Sequence, residues 1–99
     1  MRIVITEPAK IHLREIHDYY KQFVSKKIAD KIKSGIIGKL KTLKDKPHIG
    51  QKEELLEHLN LNHRRMVEGN YKIVYRVAHE TIFITDIFDA RQNPDKMLG

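Results

Sequence analysis

The sequence predicts an α+β fold with the element order β-α-α-β-β-β: an N-terminal helical hairpin packed on one face of a small, mostly antiparallel four-stranded sheet. Three observations predict it. Apolar residues recur at helical spacing from Pro8 to Lys46, with one break at Ser25. Beyond Leu61 the period drops to two. Short turn sequences then divide the remainder into three strands. A chain of 99 residues has room for one domain, over residues 1–99, with a modest core.

Arg2 to Thr6 reads as a short strand with Ile3 and Ile5 on one face and Val4 on the other. Thr6 or Glu7 suits the cap of the next helix, and Pro8 its first turn, where a missing N–H is harmless. From Pro8 to Val24, residues Leu13, Ile16, Tyr19, Tyr20, Phe23 and Val24 gather on one side of a helix. Ile11 falls off that stripe. Ser25 caps a second helix, Lys26 to Lys46, whose Ile28, Ile32, Ile36, Leu40 and Leu43 fit an arc of about 120°. Lys26, Lys27, Lys31, Lys33, Lys41 and Lys44 take the other side, and Lys39 has to snorkel from the apolar arc. Gly35 and Gly38 lie beside the stripe, each unfavourable by ~1 kcal/mol relative to alanine, and mark a close backbone approach or a kink. So short a break between two helices predicts an antiparallel hairpin.

Pro47 ends the second helix, and Pro47-His48-Ile49-Gly50 is turn-like. Gln51 to Asn60 is ambiguous, with Leu55, Leu56 and Leu59 supporting one or two helical turns. Leu61 to Glu68 reads as a strand, and Glu68-Gly69-Asn70 as a tight turn. Tyr71 to Ala78 alternates Ile73, Tyr75 and Val77 against Lys72, Val74 and Arg76. After His79-Glu80, Thr81 to Phe88 is a third strand of near-continuous apolar character. These three form an antiparallel meander. Asn93-Pro94 closes the regular structure, leaving Asp95 to Gly99 as a helical turn or frayed tail. The hairpin covers one sheet face, and the other is expected to be partly open.

The formal charge is +6, and it is uneven. Ala9 to Lys46 holds eleven Lys/Arg against Glu15, Asp18, Asp30 and Asp45, a net +7, which leaves −1 for the rest. A basic half suits an anionic partner such as nucleic acid, ribosome or an acidic protein segment, but a solvated lysine face has the same composition. No apolar run approaches the ~20 residues of a membrane span, and the N-terminus lacks a signal-peptide core. With no cysteine there is neither a disulfide framework nor a thiolate metal site. The cytoplasm is the expected location.

The six histidines have poor ligand spacing: His12 and His17 lie about 140° apart around a helix, so no metal is expected. Gly35-Ile36-Ile37-Gly38 lies inside a helix and is no phosphate loop, and neither Ser25 nor Ser34 sits on a nucleophile elbow. No cofactor is expected. What remains is a set of cations on the sheet half: Arg64 and Arg65, then Lys72 and Arg76, then Arg91. Lys72 and Arg76 share strand parity and project away from the helices. Clustered cations of this kind hold phosphates or stabilise charge in phosphodiester cleavage, or else are ordinary exposed side chains paired with Glu68, Glu80, Asp86 or Asp89. Tyr75, in phase with Ile73 and Val77, is a core residue. Tyr71 at the strand's start is the more exposed and suits base stacking.

The run Arg-Arg-Met-Val-Glu-Gly-Asn-Tyr-Lys-Ile-Val-Tyr-Arg-Val, starting at Arg64, resembles the arginine strand and following strand of RelE/ParE toxins. The stretch from Ile82 to Pro94 resembles their last strand and its Arg-x-x-Pro close, here Arg91 to Pro94, and Pro47 to Gly50 matches the turn after their second helix. Together these span about residues 1 to 95, and the order of elements agrees. The resemblance implies the toxin of a type II toxin–antitoxin module. It would arrest growth and be neutralised by a cognate antitoxin, within a toxin–antitoxin hetero-oligomer and without membrane or cofactor. Two target classes follow. A RelE-like ribosome-dependent mRNA endonuclease would use Arg65, Lys72 and Arg91 on the phosphate and Glu53 or Glu54 as the acidic residue. A ParE-like inhibitor of DNA gyrase would cut nothing itself. The segment Phe88 to Asn93 lacks the histidine or tyrosine common in the nuclease class and favours the gyrase class. For target or antitoxin binding, the candidates are Arg64, Arg65, Tyr71, Lys72, Arg76 and Arg91. Outside the family, a non-toxic basic RNA- or ribosome-binding module is the alternative.

Overall fold

A computed structural model describes all 99 residues. Strand β1 (Arg2–Ile5) leads into helices α1 (Glu7–Phe23) and α2 (Lys26–Asp45). A two-residue strand β2 (Gln51–Lys52) and a 3₁₀ segment (Glu54–Leu59) follow. The meander is β3 (Arg64–Glu68), β4 (Tyr71–Ala78) and β5 (Thr81–Asp89), closed by a 3₁₀ turn at Pro94–Lys96. The class and the order of the main elements agree with the sequence-based expectation.

The helix caps follow from residue chemistry. Thr6 Oγ1 accepts from Ala9 N at 3.4 Å and Ser25 Oγ from Ile28 N at 3.1 Å, each satisfying a backbone donor that the helix cannot. The hairpin buries Ala9 and Leu13 of α1 and Ile36, Leu40 and Leu43 of α2 against Ile73, Tyr75, Ile82, Ile84 and Ile87 of the sheet. Phe23, Val24 and Ile28, assigned by spacing to the apolar stripes, are instead exposed, because they flank the turn between the helices. The expectation fails there because periodicity reports a face and not where the opposing layer ends.

The sheet has five strands and not four, in the order β1-β5-β4-β3-β2. β1 lies parallel to β5, and the other pairs are antiparallel. The extra strand, β2, exists only through its pairing with β3, Gln51 opposite Arg65 and Lys52 opposite Arg64. β3 starts at Arg64 and not Leu61, since Asn60 and Asn62 both take φ of 56°, incompatible with an extended chain. In β5, Val74 pairs with Asp86 and Tyr75 with Ile84, which leaves Thr85 as a bulge. The bulge shifts parity by one, so Ile82, Ile84 and Ile87 all reach the helices. That is why this strand's sequence lacks clean alternation.

The face away from the helices is more covered than expected. Val74 and Phe88 pack there with Leu56 of the 3₁₀ segment and Met97 of the closing segment as a second small core. The segment after Asn93 is pinned and not frayed: Leu98 N donates to Asp86 Oδ2 at 2.9 Å, and Thr85 Oγ1 to Leu98 O at 3.4 Å.

Candidate functional site

One face of α1 carries His12, Glu15, Ile16, Tyr19 and Tyr20, the three-and-four spacing that puts side chains in a row. This row forms one wall of a cleft of about 710 Å³. Tyr71, Ile87 and Asp89 form the other wall, and Arg91, Gln92 and Lys96 of the closing segment form the end. The size falls in the range of ligand and peptide-anchor sites.

Tyr71 lies against Tyr20, its Oη donating to the Tyr20 hydroxyl at 3.3 Å. Tyr71 is the more exposed of the two β4 tyrosines, but only at 6% against 0%, because α1 reaches past the strand's start and covers it. Burial, reinforced by the Tyr20 hydroxyl, holds its phenol well above the usual range. Tyr75 is fully buried, as its parity predicts, and its hydroxyl accepts from Gly50 N at 2.9 Å.

Arg91 grips Asp89 with both prongs, Nε to Oδ1 at 2.9 Å and NH2 to Oδ2 at 2.8 Å. Asp89 raises the guanidinium further above its ordinary range, and Tyr20 adds to this; reciprocally, Arg91 holds the carboxyl of Asp89 low. Above them on α1, the exposed rings of Tyr19 and Phe23 sit 5.0 Å apart, centroid to centroid. The cleft therefore combines an aromatic lip, two hydroxyls and a neutralised arginine, with Lys96 at its end outside any ion pair.

Below the cleft lies a pair that sequence reasoning missed. Asp86, with no exposure at all, accepts from His12 Nδ1 at 2.6 Å and from Leu98 N at 2.9 Å. The two residues stand 74 positions apart, so no local pattern joins them. In the sequence His12 reads only as a poorly spaced metal ligand, and Asp86 only as a partner of strand cations.

The remaining predicted cations gather elsewhere, near β2 and on the sheet face away from the helices. Glu53 is buried, with Lys72 Nζ at 3.2 Å and Arg65 NH1 at 3.7 Å from its Oε2. Arg65 also donates to Lys52 O at 2.6 Å and to Gln51 Oε1 at 3.1 Å. Arg64 donates to Gly50 O at 2.8 Å and ties down the Pro47–Gly50 turn. Arg76 lies over the Phe83 ring at 4.9 Å from its centroid. Glu53, Arg65 and Lys72 are thus brought together, while Tyr71 and Arg91 belong to the cleft. Behind the first group, His63 is buried with Nδ1 unpartnered, and desolvation holds its imidazole below the usual range.

Residues 3–94 match the family described as ParE toxin of type II toxin-antitoxin system, parDE. Among solved structures, the fold is similar to one described as a chromosomal ParDE TA system from P. aeruginosa. That likeness has a TM-score of 0.78 at 21% identity, covering 92% of this chain and 97% of that one. No curated protein sequence matches the chain. The family match runs from β1 through the Arg91–Pro94 close, and no helix on the way is long and apolar enough to cross a membrane. The chain belongs to the ParE toxin family of type II toxin–antitoxin systems.

Proposed function

We propose that this chain, acting in the cytoplasm, arrests growth by binding DNA gyrase without itself cleaving a substrate. We propose further that a cognate antitoxin neutralises it by laying an amphipathic segment along the cleft between α1 and β5. One observation carries the reading on the target: every sheet-half cation that phosphodiester chemistry would call on already has a partner within the molecule. Lys72 and Arg65 converge on Glu53, Arg64 is spent on backbone carbonyls, Arg76 stacks on Phe83, and Arg91 is chelated by Asp89. A nuclease needs free donors aimed at the oxygen where charge develops. A binding protein needs only a shaped surface. The closing segment adds no histidine or tyrosine between Phe88 and Asn93 to move a proton.

For the antitoxin, the cleft offers an apolar lip of Tyr19 and Val24, with exposed Phe23 against Tyr19, beside the hydroxyls of Tyr20 and Tyr71 and the ammonium of Lys96. An amphipathic segment with acidic residues matches that pattern. The sequence similarity to a toxin family, and the fold shared with a ParDE system, support the pairing.

Induced expression tests the reading directly. Growth arrest with gyrase-dependent DNA cleavage complexes, intact mRNA and rescue by the adjacent open reading frame is expected. Codon-phased mRNA cleavage within minutes of induction would overturn it in favour of the ribosome-dependent nuclease, with Glu53, Arg65 and Lys72 as the residues to mutate first. Arg91→Ala is expected to weaken toxicity while leaving the melting temperature nearly unchanged. A large fall in melting temperature would make Arg91 a structural residue.

A further inference from the structure

The outer face of α2 takes no part in the cleft or in the sheet-face cluster, yet it is strongly basic. The helix carries seven lysines against two aspartates, and only Lys26 is ion-paired, to Asp30 at 2.8 Å. Lys27, Lys31, Lys33, Lys41 and Lys44 are exposed and have no carboxylate within salt-bridge reach. Lys27, Lys31, Ser34, Gly38, Lys41 and Asp45 follow at alternating steps of four and three, which puts them in one row. From Lys27 to Lys41 the rise is about 21 Å.

We infer that this row is a docking surface for duplex nucleic acid, held through the phosphate backbone. Three features select that partner. A row of unpaired ammonium groups on a rigid helix matches a polyanion of fixed charge spacing, and binding gains from release of its counterions. The helix contains no aromatic residue, so single-stranded bases have nothing to stack on. Ile28 is its only exposed large apolar side chain, at the N-terminal end and off the lysine row, so an amphipathic peptide finds no anchors there.

The two glycines of α2 sharpen the inference. A Cβ at Gly35 would come within 2.6 Å of Glu68 Oε1, so packing against β3 accounts for glycine at that position. A Cβ at Gly38 would meet nothing within 4 Å. The fold therefore has no need of glycine at 38, although glycine weakens a helix interior relative to alanine. Gly38 lies in the lysine row between Lys31 and Lys41, where a missing side chain lets an external backbone approach closely.

The test uses the full chain and fluorescence anisotropy with a duplex of roughly 20 base pairs, a duplex RNA, a single strand and polyglutamate, between about 50 and 200 mM salt. Duplex binding is expected, with a slope of log K on log salt of about −2.7 if the three lysines of the row contact phosphates. Lys27→Gln/Lys31→Gln/Lys41→Gln is expected to flatten the slope by about 2.7 and to weaken low-salt binding at least ~10-fold. Gly38→Ala is expected to raise the melting temperature by roughly 4 °C while weakening duplex binding several-fold. A merely structural glycine would not separate those two readouts. Equal binding of duplex DNA and duplex RNA supports the backbone as ligand, and preference for one narrows the sugar. Polyglutamate bound as tightly as the duplexes, or an unchanged slope in the triple variant, overturns the inference. The outcome is independent of the gyrase reading, since neither cleavage complexes nor antitoxin rescue is measured.

Discussion

The buried Asp86 carboxylate gives the sharpest prediction about what holds this fold together. His12→Ala would leave that carboxylate with Leu98 N–H as its remaining donor, in a site with no solvent exposure. Removing the partner of a buried charged group commonly destabilises by ~3–5 kcal/mol, because the charge left behind is neither paired nor hydrated. The side chain of His12 is 35% exposed, so water can partly replace it, and the lower end, ~3 kcal/mol, is expected. Asp86→Asn should be milder. It removes the charge together with the bond and keeps an acceptor oxygen for one donor, for a loss of ~1–2 kcal/mol. In the double variant His12→Ala/Asp86→Asn no charge is stranded, so its loss is expected to stay near ~2 kcal/mol, well short of additive. Urea unfolding monitored by circular dichroism measures all three, and an unchanged slope with denaturant confirms that stability alone has moved. In a domain this small the His12→Ala loss corresponds to a fall of roughly 12–20 °C in melting temperature. The reasoning fails if His12→Ala loses less than ~1 kcal/mol, or if the two single effects simply add.

Three further substitutions probe other parts of the structure. Tyr75→Phe strands the buried Gly50 N–H that the phenol oxygen now accepts, and should destabilise by ~1–3 kcal/mol in the same assay; Gly50→Ala should be worse, because its Cβ would lie 2.7 Å from Arg65 O. Burial depresses the pKa of His63 below its ordinary 6.5, so the unfolded chain binds the proton more readily. Stability is then full above pH 6.5 and declines as pH falls through 6.5 toward the lower native value, and His63→Leu should remove that part of the pH profile. The β4–β5 turn places His79 and Glu80 at φ of 52° and 57°, a conformation suited to Asn-Gly, so His79→Asn/Glu80→Gly should raise stability by ~1 kcal/mol; an unchanged urea midpoint would show that the turn is not strained.

The parts of this fold that were legible in sequence are those governed by local periodicity and by single-residue turn chemistry. The α2 stripe Ile32, Ile36, Leu40 and Leu43 and the caps Thr6 and Ser25 needed no tertiary information. Neither did the turn at Gly69-Asn70, while that at His79-Glu80 shows only as a break between two strand-like runs. β2 was not legible because two residues have no period, and their strand geometry comes from Arg64 and Arg65 across the ladder. The Thr85 bulge hid for a related reason: a parity slip inside an apolar run looks like a run buried on both faces. Tyr71 looked exposed from its position at a strand end, yet Tyr20, 51 residues earlier, closes over it. Of the candidate site, the composition of Phe88 to Pro94 and the cations were readable as residues. Their partners were not, because Glu53–Lys72, Arg91–Asp89 and His12–Asp86 are facts of packing.

Those partners also explain how so small a domain holds its closing segment in place. After Asp89 the chain has only one buried apolar anchor, Met97, in a core of four residues. Apolar burial of that size fixes position poorly, so polar ties must supply the rest. Asp86 does so by holding Leu98 N at the finish, with Asn93 capping the short turn before it through Asp95 N at 3.0 Å, whereas the exposed Asp89–Arg91 pair at the start adds little stability. Asp86 simultaneously holds His12 on α1, the wall opposite, so one buried carboxylate sets the separation of both sides of the cleft. The Arg91–Pro94 close is therefore positioned from beneath by a buried residue of β5. By contrast, the lysine row of α2 needs no such support, because a helix fixes the spacing of its own side chains. The two surfaces thus differ in what would disable them: the cleft through a buried polar tie, the lysine row through changes on its own exposed face.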